Sequence, residues 1–137
     1  MNKILILFLS LIVFAQMSFA TNIYDSYGRK TGSYRTNGST TTKYNQYGQK
    51  ESTYRKSGNT TNAYDKYGAK TGSYRTNGNT TTEYDKYGSK VGTYRTTSSG
   101  TITQYDKHGR KTGTFKTNSN GITTKYDKYG RKVKSYR

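Results

Sequence analysis

Tyrosine returns at a fixed interval along this chain. Tyr24, Tyr44, Tyr64 and Tyr84 stand 20 residues apart, and Tyr105 and Tyr126 follow at spacings of 21. A fixed interval of this length marks a repeat array, in which each small unit must bury its surface against its neighbours. Six tandem units result, at about residues 24–43, 44–63, 64–83, 84–104, 105–125 and 126–137. Each carries two further aromatic positions. One column runs through Tyr27, Tyr47, Tyr67, Tyr87, His108 and Tyr129, the other through Tyr34, Tyr54, Tyr74, Tyr94, Phe115 and Tyr136. The three columns take up all 16 tyrosines. His108 stands where every other copy has tyrosine, so it reads as an aromatic-sized replacement and not as a base or a ligand.

Each unit reads as two strands and two turns. Thr80 to Asp85 is rich in threonine and tyrosine, which suit a pleated surface, and alternation puts Thr80, Thr82 and Tyr84 on one face. Gly88 then supplies a left-handed turn position. A second strand starts at Lys90; alternation puts Lys90, Gly92 and Tyr94 on one face and Val91, Thr93 and Arg95 on the other. Asn37-Gly38, Asn77-Gly78 and Asn120-Gly121 mark hairpins between copies, with Ser57-Gly58 and Ser99-Gly100 as weaker versions. No proline bars any strand from a sheet interior. The expected fold is all-β: tandem β-hairpins forming a meander of about a dozen strands, rolled into a solenoid or laid out as an extended single sheet.

Aliphatic residues beyond residue 20 are few: Ile23, Ala63, Ala69, Val91, Ile102, Ile122 and Val133. Tyrosine must therefore do the packing, with the first and third columns expected in the core. Gly32, Gly72, Gly92 and Gly113 fall mid-strand, where a neighbouring ring lying over bare glycine is the expected compensation. The last two inter-copy loops are longer and bring in Ile102 and Ile122, so the C-terminal third is expected to hold more apolar packing.

Residues 1–20 read as a secretory signal peptide. Lys3 precedes the apolar run Ile4 to Ala15, and Ser18-Phe19-Ala20 places small residues where signal peptidase reads, with cleavage expected before Thr21. No later segment is apolar enough to span a membrane, and cysteine is absent, so disulfides are not used. The expected location is exported: periplasmic, cell-surface or secreted. Without Lys3, 23 basic residues face seven acidic ones, a net charge of +16. Such a surface attracts polyanions in a salt-dependent way.

No constellation for catalysis is expected. There is one histidine, no phosphate-binding loop and no metal-ligand spacing, so the chain reads as a non-enzyme that takes no cofactor. Asp25, Asp65, Asp85, Asp106 and Asp127 form a column best explained as turn caps, each side chain accepting from backbone amides two residues on. What recurs is a basic and aromatic lattice. Its candidate binding residues are Tyr27, Tyr47, Tyr67, Tyr87 and Tyr129; Lys30, Lys50, Lys70, Lys90, Lys111 and Lys132; and Arg35, Arg55, Arg75 and Arg95. Aromatic faces stack on sugars or bases, and cations pair with sulfate, phosphate or carboxylate.

The string Gly121-Ile122-Thr123-Thr124-Lys125-Tyr126-Asp127-Lys128-Tyr129-Gly130-Arg131 resembles the YD repeat of Rhs and teneurin proteins, as do Tyr105 to Arg110 and Tyr24 to Arg29. The copies at Tyr64 and Tyr84 keep the pattern without the arginine, and Asn45 replaces the aspartate. The resemblance implies β-hairpins that spiral into a sheet, forming a shell around a toxin in long arrays, and links to carbohydrate binding at cell surfaces. Six copies are too few for such a shell. The family also follows Gly-Arg with a leucine that faces the packed side, whereas lysine stands there in every copy here. A weaker similarity is to aromatic cell-wall-binding repeats, which depend on tryptophan, absent here.

The expected function is a surface or periplasmic binding module for an anionic polymer: polysaccharide, lipopolysaccharide or extracellular DNA. The alternative is a structural or adhesive matrix protein that self-associates through open sheet edges.

Overall fold

The computed structural model describes residues 19–137. The expected leader lies outside the described residues up to residue 18; Phe19 and Ala20 open the first strand. Twelve antiparallel strands follow in order: β1 (Phe19–Asp25), β2 (Lys30–Asn37), β3 (Thr40–Asn45), β4 (Lys50–Ser57), β5 (Thr60–Asp65), β6 (Lys70–Asn77), β7 (Thr80–Asp85), β8 (Lys90–Thr96), β9 (Ile102–Asp106), β10 (Lys111–Thr117), β11 (Thr123–Asp127) and β12 (Lys132–Tyr136). Each pairs with its sequence neighbours, and β12 returns to β1, so the sheet closes into an up-and-down barrel. The dozen strands match expectation, but neither an open meander, a solenoid nor a flat sheet forms. Every strand pair adds twist of the same hand, and each hairpin adds a bulge that sharpens it. The sheet curls until its two outer strands meet, and the edges that an open sheet would expose are paired instead.

The closing seam has the same register as an internal junction. Ile23 faces Tyr136, Tyr24 faces Ser135 and Asp25 faces Lys134. Between the second and third copies, Ala63 faces Tyr54, Tyr64 faces Thr53 and Asp65 faces Ser52. The Arg137 amide donates to the Asn22 carbonyl at 2.9 Å, extending the seam by one more rung.

The third aromatic column fills the barrel. Tyr34, Tyr54, Tyr74, Tyr94, Phe115 and Tyr136 are all buried, Tyr34 with 0% of its surface exposed. Eight-stranded barrels are filled by ordinary side chains, and diameter grows with strand number. A large aromatic on every second strand supplies the bulk that twelve strands need. Directly opposite these residues, on the intervening strands, stand Ile23, Lys43, Ala63, Glu83, Gln104 and Lys125. Directly opposed residues share a face, so this variable column also points inward. Within the core the Tyr94 hydroxyl donates to Glu83 at 3.0 Å and accepts from Gln104 at 3.2 Å. Ile102 is buried as expected of the C-terminal third, but Ile122 is only half-buried.

The first column is not in the core. Tyr44 lies opposite Ser33, the neighbour of inward Tyr34, and therefore faces outward. Tyr24, Tyr44, Tyr64, Tyr84, Tyr105 and Tyr126 are half-buried on the outer wall. Arginines cover several of them: the guanidinium of Arg35 lies 5.5 Å from the Tyr44 ring centre, Arg55 lies 5.2 Å from Tyr64, and Arg95 lies 5.6 Å from Tyr105. The outward positions of serine, threonine, arginine and tyrosine are the reverse of the apolar band on lipid-facing barrels.

A bulge in each hairpin overturns the alternation expected for the lysine column. Gly92 pairs with Glu83 but Lys90 pairs with Tyr84, leaving Val91 as the extra residue. Because Tyr84 faces outward, Lys90 does too, and it does not share the face of Tyr94. The same slip occurs at Thr31, Glu51, Thr71, Thr112 and Val133. It turns Lys30, Lys50, Lys70, Lys111 and Lys132 outward, where all are exposed.

The mid-strand glycines have a different cause from the one expected. A Cβ on Gly72 would lie 2.5 Å from the Tyr84 carbonyl oxygen, and one on Gly92 would lie 2.5 Å from that of Tyr105. Backbone, and not a ring, sets the demand. Ser52 and Lys134 occupy the matching positions in the second and sixth copies, so four of the six junctions carry this constraint. The first inter-copy loop also differs by one residue: Asn37 pairs with Thr40, so the loop is Gly38-Ser39, with Gly38 at φ 57°.

Replacing Gly72 with alanine forces backbone apart and is expected to cost about 1–3 kcal/mol, the range for overpacking, read from denaturant unfolding. Burial pushes the hydroxyls of Tyr34, Tyr54, Tyr74, Tyr94 and Tyr136 above the ordinary value of 10.0. A raised folded value contributes stability below pH 10 that is lost as pH rises further. Alkaline absorbance titration should therefore show five late tyrosines that ionise only as the barrel opens.

Candidate functional site

An up-and-down barrel sends every odd-to-even turn to one end and every even-to-odd turn to the other. The six turns after β1, β3, β5, β7, β9 and β11 thus form one rim. Each is built the same way. Asp25 Oδ1 accepts from the amides of Tyr27 and Arg29, both at 2.9 Å. Asp85 does the same for Tyr87 and Ser89, and Asn45 for Tyr47 and Gln49. Gly88 turns the chain at φ 84°, as the sequence led one to expect. The aspartate column is therefore a set of turn caps.

With its amide held by the cap, the tyrosine in the middle of each turn stands clear of the barrel. Tyr27, Tyr47, Tyr67, Tyr87 and Tyr129 are 71–84% exposed, and His108 is exposed in the sixth place. Neighbouring cations lie over these rings. The ammonium groups of Lys66, Lys86 and Lys128 are each 4.8 Å from the ring centres of Tyr67, Tyr87 and Tyr129. Arg29 covers Tyr27 and Arg131 covers Tyr129, both at 5.4 Å. Such contacts are worth roughly 0.5–1 kcal/mol at exposed sites, enough to bias ring orientation without locking it. Just behind the rim, Lys30, Lys50, Lys70, Lys90, Lys111 and Lys132 open the even strands.

The structure therefore gathers the tyrosine and lysine candidates at one end and separates them from Arg35, Arg55, Arg75 and Arg95. Those arginines sit along the wall, toward the opposite end of the strands, where three of them cover first-column rings. Sequence reasoning missed the turn cations Arg29, Lys66, Lys86, Lys128 and Arg131. Their signal was present as the residues just before the tyrosine and just after the glycine. The rim is uneven: the turn Asn45–Gln49 carries no cation, whereas the last turn carries Lys128 and Arg131 and leads into Lys132.

Three aspartates pair with an arginine four residues on, at 2.8 Å for Asp25–Arg29, 2.7 Å for Asp106–Arg110 and 2.7 Å for Asp127–Arg131. The arginine amide, and then its guanidinium, hold each carboxyl below its ordinary value of 3.8. Among the described residues no group of three histidine, aspartate or glutamate side chains converges. No family model matches the chain, and no curated protein matches it.

A depressed carboxyl pKa contributes stability above the ordinary value that disappears as pH falls through the lower folded value. The amides of Arg29, Arg110 and Arg131 should therefore lose exchange protection on acidification below pH 3.8, while Asp127→Asn, which keeps both caps as Asn45 does, should leave the Arg131 amide protected there.

Proposed function

We propose that the chain is an exported, non-enzymatic binding module whose rim docks an anionic polymer, in the first place an acidic glycan. The observation that carries this reading is the clustering of exposed aromatic rings with lysines at one end of the barrel. Tyrosine is an expensive residue to leave in water, and five at one rim form a surface suited to stacking on sugar rings. The flanking ammonium and guanidinium groups suit sulfate, phosphate or carboxylate on the same polymer. Repetition around the rim favours a repeating ligand, since several weak contacts on one chain add as effective concentration. The +16 charge of the chain beyond residue 20 aids capture from solution. The YD-like repeat supports the same direction by its resemblance to cell-surface proteins. Self-association through sheet edges is the weaker reading, because β1 and β12 pair with each other and the seam must open first.

Heparin-affinity chromatography tests the proposal. The protein should be retained at low salt and released by moderate salt. A triple change Tyr47→Ala, Tyr67→Ala, Tyr87→Ala, or Lys50→Gln, Lys70→Gln, Lys90→Gln, should elute at clearly lower salt. The wall change Arg55→Gln, Arg75→Gln, Arg95→Gln removes the same charge and should weaken retention less. Equal loss from rim and wall would reduce the interaction to net charge and remove the rim as a site.

A further inference from the structure

The six copies differ most where they face the lumen. Four place glycine two residues before the core aromatic, and the second has Ser52 there. The sixth has Lys134, directly opposite Lys125 across β11 and β12. Lys125 lies opposite inward-facing Phe115 on its other side, and its ammonium rests 5.2 Å from that ring's centre. Both lysines therefore point into the barrel, just inside the rim, and both are half-buried.

Asp25 lies directly opposite Lys134 across the seam, but its carboxylate is paired with Arg29. The remaining lumenal charges also have partners. Lys43 pairs with Glu51, and Glu83 accepts from the Tyr94 hydroxyl. No salt bridge among the described residues includes Lys125 or Lys134. Like charges directly opposite one another destabilise a strand pair, and partial loss of water makes the repulsion worse. Burial first, and Lys134 second, push the Lys125 ammonium below its ordinary value of 10.5, against a smaller opposing pull from the Glu83 carboxylate. The turn joining these two strands carries Lys128 and Arg131 and leads into Lys132, which adds positive charge on this side of the mouth.

We infer that Lys125 and Lys134 form a binding site for a tetrahedral oxyanion, a sulfate or phosphate group, in the mouth of the barrel at the sixth repeat. One such group between the two strands accepts from both ammonium groups and replaces their repulsion with two charge-assisted hydrogen bonds. The site is separate from the rim tyrosines and stands whether or not the rim binds a polymer. The oxyanion is either a free ion or a substituent of a glycan chain.

Inorganic sulfate is titrated into the protein at constant ionic strength, with chloride as the exchanged ion, and amide shifts are followed. Saturable shifts confined to Thr124, Lys125, Lys134 and Ser135 are expected, with at least tenfold weaker binding in Lys134→Gln. Lys134→Gly, which restores the residue four other copies use, should abolish the saturable response while the barrel stays folded. Sulfate should also raise the melting temperature of the parent protein and not that of Lys134→Gly. Non-saturating shifts, or shifts unchanged in both variants, overturn the site. A sulfated disaccharide binding more tightly than sulfate marks the group as part of a glycan, and equal affinity marks it as the free ion. Heparin retention that survives in Lys134→Gly together with loss of sulfate binding separates this site from the rim, and so does loss of retention in the rim variants with intact sulfate binding.

Discussion

A tyrosine on every second strand, pointing inward, decides what this chain becomes. Closing twelve strands leaves an interior too wide for scattered alanines and isoleucines, and the sequence offers little else that is apolar. The ring at Tyr34, Tyr54, Tyr74, Tyr94 and Tyr136, with Phe115 in the fifth copy, spans that space. Once these side chains occupy the centre, the residue opposite each is freed from having to be large, and Ile23, Lys43, Ala63, Glu83, Gln104 and Lys125 vary in size and charge. The core is thus a constant frame with a variable lining, and the polar contacts among Tyr94, Glu83 and Gln104 belong to the lining.

The bulge in each hairpin links this packing to the outer surface. One extra residue, Val91 in the fourth copy, lets Tyr94 and Gly92 face inward while Lys90 swings out beside Tyr84. Without it, six lysines would share the side of the core tyrosines. The glycines answer to the strand on the other side: the carbonyl that crowds Gly72 belongs to Tyr84 across the regularly paired inter-copy junction. Curvature and the lysine rim are therefore consequences of one local irregularity, repeated.

Much of this was legible in the repeat. Alternation and turn residues gave the bounds of β7 as Thr80 to Asp85, the aspartate cap at Asp85 and the burial of Tyr94, because each depends on neighbours close in sequence. Closure was not legible: whether twelve strands curl fully depends on twist accumulated over the whole sheet. The outward direction of Tyr84 could not be told from the inward direction of Tyr94, since both are aromatic and both stand in strands that carry threonine on either face. The lysine column was misplaced because a bulge breaks the period of two without leaving a distinctive residue: five of the six bulge positions hold threonine or valine, which suit any strand, and the sixth holds Glu51. For the rim, the exposed tyrosines and the strand-opening lysines were legible but the turn cations were not, and only closure of an up-and-down order brings the turns of six copies into one ring.

The seam between β1 and β12 reproduces the register of an internal junction, and Arg137 lies 5.1 Å from the Tyr24 ring centre as its counterparts do along the wall. It lacks only the turn, and Ile23, the most hydrophobic member of the variable lining, stands at that place. The barrel is in this sense cyclic, its seam one of six comparable junctions. A linker from β12 to β1 with a break at Gly58-Asn59 would leave every rung of the sheet as it is, so which junction goes without a turn is a property of the connections and not of the architecture.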